Sequence, residues 1–452
     1  MKHRSALFLT LATAGALSYL ASTSRSQPSE GAARQWKITI PSGRPLATPA
    51  VVDGRIYVGG GFGSHEFYAY DAVTGRLLWT YRTSDDGPTA AIVSDRRIIF
   101  NTESCELEVI TLDGRPLWKK WLGDPLMSMP AAADGRVYIA FPNSRGDHRY
   151  YLAAFDLETG RELWRHPLSG EVITAPVIDN RRVYAATVDG SLFSFDGRDG
   201  TEIWHDAKNA TSAPAIWNGQ CYFSRRERAA SAQQTEMVAM RGLAPAAPVL
   251  DFAKTRQNAD YLDYEKRKLS RAESASQSLD ASVGFAGVSK GSANMVAVSA
   301  NIGQASVHGV WAYQGSKPFV DKGRVYVAMG DKVICTDPKT ENVIWNRTLL
   351  DNSGAPLLNS ELTPPVIVNG KIFVGSRSGD VFALSETTGD VLWKAHVGEP
   401  IVFQPAVAGG HVYVPTMAGN LYRFDTGDKL DTGWLMWGAT SSHNGIILAS
   451  HP

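Results

Sequence analysis

The chain has 452 residues, 44% of them hydrophobic and 20% charged, with 12 Trp, 42 Gly and 23 Pro. That is the make-up of a folded, turn-rich body with large apolar anchors, not of a disordered or collagen-like chain. Lys+Arg and Asp+Glu balance at 45 each, so the basic footprint that nucleic-acid binding needs is missing.

At the N-terminus, Lys2, His3 and Arg4 precede an apolar run from Ala6 to Ala21. The run is shorter than the ~20 residues that span a bilayer, and small and polar residues follow it to Ser26. Residues 1–26 read as a Sec-type export signal, with an uncleaved anchor as the alternative because no clean Ala-x-Ala site is present. The first cysteine is Cys105 and no later segment is long and apolar enough to span a membrane. The expected product is a periplasmic or secreted protein, not lipid-anchored, with no transmembrane span once the signal is removed.

From residue 31 onward one phrase recurs: Pro, a short apolar run, a turn of Asp, Asn or Gly, then an apolar strand near Tyr. It reads TPAVVDGRIYVGG at Thr48, MPAAADGRVYIAF at Met129, APVIDNRRVYAAT at Ala175 and APAIWNGQCYFSR at Ala213. It returns as KPFVDKGRVYVAM at Lys317, PPVIVNGKIFVGS at Pro364 and QPAVAGGHVYVPT at Gln404, and a weaker copy at Ala90 has Ala91 in place of Pro. Each unit continues through an alternating strand, D-x-x-T-G or a relative, and a strand ending in Trp, at Trp79, Trp118, Trp164, Trp204, Trp345 and Trp393. A short polar side chain such as Asp71 or Asp156 can accept backbone N–H bonds at the bend, and Gly75 or Gly160 supplies the positive φ. Period-two alternation broken by turns predicts short antiparallel strands. Four strands in each of eight units predict an all-β, eight-bladed β-propeller over residues 31–452.

Two irregularities bear on closure and on what is added to the disk. Trp36 precedes the first full unit as an orphan last strand, and the eighth unit lacks an immediate Trp, so the chain ends can complete one blade together. Trp434, nine residues after Asp425, is the rival for that place, and the tail after it is expected to pack back on the rim. Blade five has its early strands, but its Trp comes only at Trp311, which implies an insertion over residues 244–307. Asp251 opens a charged stretch of good helix formers there, and apolar residues punctuate the Gly/Ala/Ser-rich remainder, so a partly helical lobe covering one face of the disk is expected, with simple disorder as the alternative. Tyr261, Tyr264 and Tyr313 near it are candidates for an interaction surface, the alternative being that they fix the insertion to its own propeller. Cys105, Cys221 and Cys335 are odd in number, without C-x-x-C spacing, and fall in predicted strands, which points to buried free thiols.

The AxDxxTGxxxW phrase resembles the pyrroloquinoline quinone (PQQ) enzyme-type repeat, found in quinoprotein dehydrogenases and in the non-enzymatic propeller lipoprotein of the outer-membrane β-barrel assembly machinery. The resemblance implies a quinoprotein-like propeller in which Trp36, Trp79, Trp118, Trp164, Trp204, Trp311, Trp345 and Trp393 dock between neighbouring blades. It also implies two functional readings. A dehydrogenase of this type holds PQQ beside Ca²⁺ on the axis, with a catalytic Asp and often two adjacent cysteines. This sequence has no Cys-Cys pair, no C-x-x-C-H, and no visible cluster of cationic donors and oxygen ligands. Gly287 to Gly291 matches G-x-S-x-G only within a Gly/Ser-rich stretch, outside any strand-to-helix elbow. No catalytic, cofactor-binding or metal-ligating residue is assigned. The favoured expectation is a monomeric, non-catalytic scaffold without cofactor that binds an exported or envelope protein, in the manner of outer-membrane protein assembly. The alternative is a PQQ- and calcium-dependent dehydrogenase.

Overall fold

The computed structural model describes residues 29–30, 34–123, 128–144, 146–147, 149–227, 235–256, 317–357 and 362–446. Among them are 33 strands and no helix. The strands form eight sheets, seven of four strands and one of five, set around a common axis as an eight-bladed β-propeller. Blade one shows the pattern, with strands Ala50–Val52, Arg55–Gly59, Glu66–Asp71 and Leu77–Arg82 in order from the axis outward. The two middle strands are buried on both faces because each blade is sandwiched between two others, which is why they read as near-continuous apolar runs. The outermost strand is partly open and alternates.

Local chemistry fixes the turns. The first hairpin of blade one holds Asp53 at φ 50° and Gly54 at φ 71°, the doubly positive pair of a two-residue hairpin whose twist matches its strands. In the outer turn, Asp71 accepts the N–H groups of Val73 and Thr74 at 3.1 and 2.7 Å. The core lies between blades: Phe67 of blade one and Phe100 of blade two stack with centroids 4.4 Å apart. All three cysteines are buried free thiols within these cores.

The ring closes through the N-terminal strand. Arg34–Thr39 pairs antiparallel with Asn420–Asp425, placing Trp36 opposite Arg423, so blade eight is built from both ends of the chain. Lys37 adds an ion pair to Glu399 at 3.4 Å. Ser29–Glu30 pairs in parallel with the outer strand of blade seven, Val391–His396. Trp434, the rival for closure, instead forms an isolated bridge with Val407 on the innermost strand of blade eight.

Two expectations are corrected. Blade five is complete without Trp311, because Val249–Arg256 is its outermost strand, paired with Thr235–Gly242. Residues 249–256 of the expected insertion therefore belong to the blade. Asp251 lies in that strand rather than capping a helix, its carboxylate held by Arg225 at 2.7 and 2.5 Å. The stretch misled because its charges sit on an outer strand, where one face meets water. Residues 257–316, with Tyr261, Tyr264, Trp311, Tyr313 and the Gly287–Gly291 match, lie outside the described residues, as does the expected signal at 1–26. The tail, expected on the rim, runs instead along the innermost strands at the axis.

Candidate functional site

Two places concentrate side-chain chemistry: the seams between blades and the axis. At six seams an indole of one blade donates its Nε1–H to a carbonyl in the outer turn of the next. The pairs are Trp36 to Val73 (3.1 Å), Trp79 to Leu112 (3.2 Å) and Trp118 to Leu157 (2.8 Å). The others are Trp164 to Gly197 (3.0 Å), Trp204 to Leu243 (2.9 Å) and Trp345 to Glu386 (3.1 Å). The turn glycine serves this contact as well as the bend. A Cβ on Gly160 (φ +66°) would stand 2.7 Å from the Trp118 ring, and one on Gly200 2.6 Å from Trp164. Trp393 is nearly buried with Nε1 unpartnered among the described residues. In blade five the equivalent position, opposite Met240, is held by Leu250.

The axis is filled by the C-terminal tail. The chain leaves blade eight on the face that carries the turns and carries Trp434 and Trp437 inward, both with no exposed surface. Trp437 packs among Ala47, Ala90, Met129, Ala175 and Phe403, contributed by the blade entrances. The residue before the repeat proline lines this layer, and besides Thr48 two of its copies are polar. Gln404 accepts from Trp434 Nε1 (3.1 Å) and the Gly438 N–H (3.0 Å), and donates to Pro365 O at 3.0 Å. Lys317 donates from Nζ to His443 O at 2.6 Å and lies 4.7 Å from the Trp437 ring centroid. Burial pushes Lys317 down to about 7. His443 is also buried, and burial pushes it down to about 4, against its bonds to Pro130 and Trp437. Its Nδ1 lies 2.7 Å from Trp437 O and its Nε2 2.8 Å from Pro130 O, so a neutral ring satisfies only one of the two carbonyls.

Lys317, Gln404, Trp437 and His443 were not singled out in the sequence. Lys317 and Gln404 carried a signal, as the two long polar side chains in a repeat column otherwise held by Thr, Ala, Met and Pro. A quinone with Ca²⁺ would need several cationic or amide donors and a set of oxygen ligands with room on the axis. The described residues there do not fit that demand: Gln404 is committed to the tail, Lys317 is a lone cation, and Trp437 takes the space. Among the described residues no group of three or more His, Cys, Asp or Glu could hold a metal ion.

Elsewhere, a cleft of about 870 Å³ opens between blades three and four, lined by Arg136, Asp179, Arg181, Arg198 and tail residues Ser441 and Asn444. Arg136 is tied to Gly197 O and Arg198 O at 2.6 and 2.8 Å, and Arg198 to Asp196 at 2.7 Å. In the turn between Arg97–Asn101 and Glu106–Thr111 of blade two, burial raises Glu103 to about 8, with Asp86 in the connection from blade one adding to the shift.

A family model described as outer membrane protein assembly factor BamB matches residues 26–120, 108–243 and 353–437. Among curated relatives, the quinohemoprotein alcohol dehydrogenase ADH-IIG of Pseudomonas putida is 28% identical over 176 residues, 34% of this chain and 24% of that one. The outer membrane protein assembly factor BamB of Burkholderia pseudomallei (strain K96243) is 24% identical over 225 residues, 38% of this chain and 58% of that one. The chain thus matches less than two thirds of the length of either relative. Among solved structures, BamB from Moraxella catarrhalis superimposes with a TM-score of 0.58 at 13% identity, over 87% of this chain and 99% of that one. Quinohemoprotein alcohol dehydrogenase from Comamonas testosteroni gives 0.54 at 14% identity, over 89% and 78%. At such identities the superpositions speak for the propeller fold alone.

Proposed function

The chain belongs to the family described as outer membrane protein assembly factor BamB, and from that premise we propose that it is an exported, non-catalytic scaffold. It works in the periplasm or outside the cell, without cofactor and as a monomer, binding an envelope or exported protein in outer-membrane protein assembly. The observation that carries this reading is the axis: the space where a dehydrogenase of similar fold holds its quinone is taken by Trp434 and Trp437 of the chain itself. A rigid disk with loops on both faces suits recognition, which loops on firm scaffolds commonly provide. Tyr261, Tyr264 and Tyr313 keep their proposed role in partner contact. Among the described residues no helix is long and apolar enough to cross a membrane.

The test is made in the native host. Photo-crosslinking side chains placed at Asn143 and Ser104, in loops of the face opposite the tail, are expected to give discrete adducts with assembly components. Deleting the gene is expected to lower the levels of outer-membrane β-barrel proteins. Unchanged barrel levels with no adduct would end the assembly reading. A melting shift with PQQ and Ca²⁺, or dye reduction with alcohols, would move the protein to the dehydrogenases.

A further inference from the structure

The innermost strand of each blade pairs on its outer side only, so its inner edge turns unpaired N–H groups toward the axis. The middle residue of these strands supplies the inward N–H, and five of the eight meet the tail. Val51 donates to Leu435 O (2.7 Å), Ala132 to Ser441 O (2.8 Å), Ile178 to Ser442 O (2.9 Å) and Val407 to Trp434 O (2.7 Å). Ile216 donates to Asn444 Oδ1 at 2.7 Å. The equivalent N–H groups of Val93, Val320 and Ile367 have no acceptor among the described residues. A twelve-residue stretch therefore touches blades one, three, four, five and eight through the edge that any propeller of this kind must leave open. Lys317 adds blade six.

We propose that this ring of inner-edge N–H groups is a peptide-binding site, and that in this chain its ligand is the C-terminal segment Trp434–Gly445, bound in cis. Backbone bonds of this type hold a strand to a sheet edge whatever its sequence, and side-chain contacts choose among sequences. Here the choice is made at three points. Gln404 reads the Trp434 indole and the Gly438 N–H together. Lys317 takes a carbonyl where a neighbouring ring can cover the ammonium, a contact favourable only beside an aromatic face. Asn444 closes both ways on Ile216, accepting its N–H and donating to its carbonyl at 2.9 Å. The ligand class is thus a turn-rich peptide, folded on itself through Ala439, His443 and Gly445, with indoles three residues apart and an Asn near its end. The ring and its ligand stand whether or not the assembly reading does.

The test cuts the chain after it has folded. A protease site inserted between Lys429 and Leu430, where Leu430 is 71% exposed, frees the segment in the otherwise complete protein. The cut segment is expected to stay with the disk on size exclusion and to exchange with a synthetic peptide of residues 432–446. A Trp437→Ala peptide is expected to compete at least about tenfold less well, the loss common for a buried indole anchor. Release of the segment on the column with an unchanged melting temperature, no exchange overnight, or equal competition by the Trp437→Ala peptide each overturns the proposal.

Discussion

The seam between blades three and four and the seam between blades five and six share one backbone plan and are closed by different side chains. In the first, Trp164 is nearly buried, donates to Gly197 O, and lies over Gly200, where a Cβ would be 2.6 Å from its ring. In the second, Leu250 stands in the indole's place, 46% exposed, and Glu341 takes the glycine's place in the facing turn at φ 60°. The two departures occur together because they are one contact: without an indole above it, the turn no longer needs a bare Cα. The seam compensates further in, where Trp217 on the innermost strand packs against Gly323 of blade six and Phe252 is nearly buried. Compensation is incomplete, since Thr336 Oγ1 is buried there without a partner among the described residues. The family match also stops at residue 243 and resumes at 353, on either side of this seam.

The sharpest way to break the comparison is to truncate both closures. Trp164→Ala removes a packed indole and its hydrogen bond and is expected to cost about 3–5 kcal/mol, whereas Leu250→Ala, half exposed, is expected to cost less than about 1 kcal/mol. Urea denaturation of both variants checks this, and equal losses would mean that the seams are not different in kind. Acid separates the axis from the loops of blades one and two by sign. His443 is held near 4 in the fold and takes its proton near 6.5 when unfolded, so the unfolded chain binds more protons between those values. Stability on this account falls by about 3 kcal/mol as pH drops from about 6.5 to 4. Glu103, held near 8, works the other way: its contribution is present below about 4.5 and fades as pH rises toward 8. His443→Gln is expected to flatten the acid limb and Glu103→Gln the alkaline one, read from melting temperatures across pH.

A smaller effect is expected from Gly160→Ala, which places a Cβ against the Trp118 ring at φ +66° and is expected to cost about 1–3 kcal/mol, measured by the same denaturation. That glycine was legible in the sequence as a turn residue, through D-x-x-T-G, but its second duty under the neighbour's indole was not, because it depends on a blade about forty residues away. The propeller itself was legible because eight copies of one phrase repeat the same alternation. Blade five's last strand was not, since Val249–Arg256 has lost both the Asp turn and the Trp that mark the others. The tail was least legible: its partners Val51, Ala132, Ile178 and Val407 are strand edges spread along the chain, and no periodicity connects them to Trp434–Gly445.

The smallest expected effect tests whether indole and glycine form one unit. Glu341→Gly alone relieves a left-handed backbone position at a surface-exposed side chain, and the gain is expected to be about 0.5 kcal/mol after the added freedom of the unfolded chain is counted. Leu250→Trp alone brings an indole toward a Cβ that the regular seams never present, and is expected to be neutral or destabilising. Together the two substitutions rebuild the closure found between blades three and four, and are expected to exceed the sum of the single changes by at least about 1 kcal/mol. A double-mutant cycle in urea measures that excess. Strict additivity would show that the bare Cα and the neighbour's ring are independent features of the turn, and that the paired departure at blades five and six is coincidence.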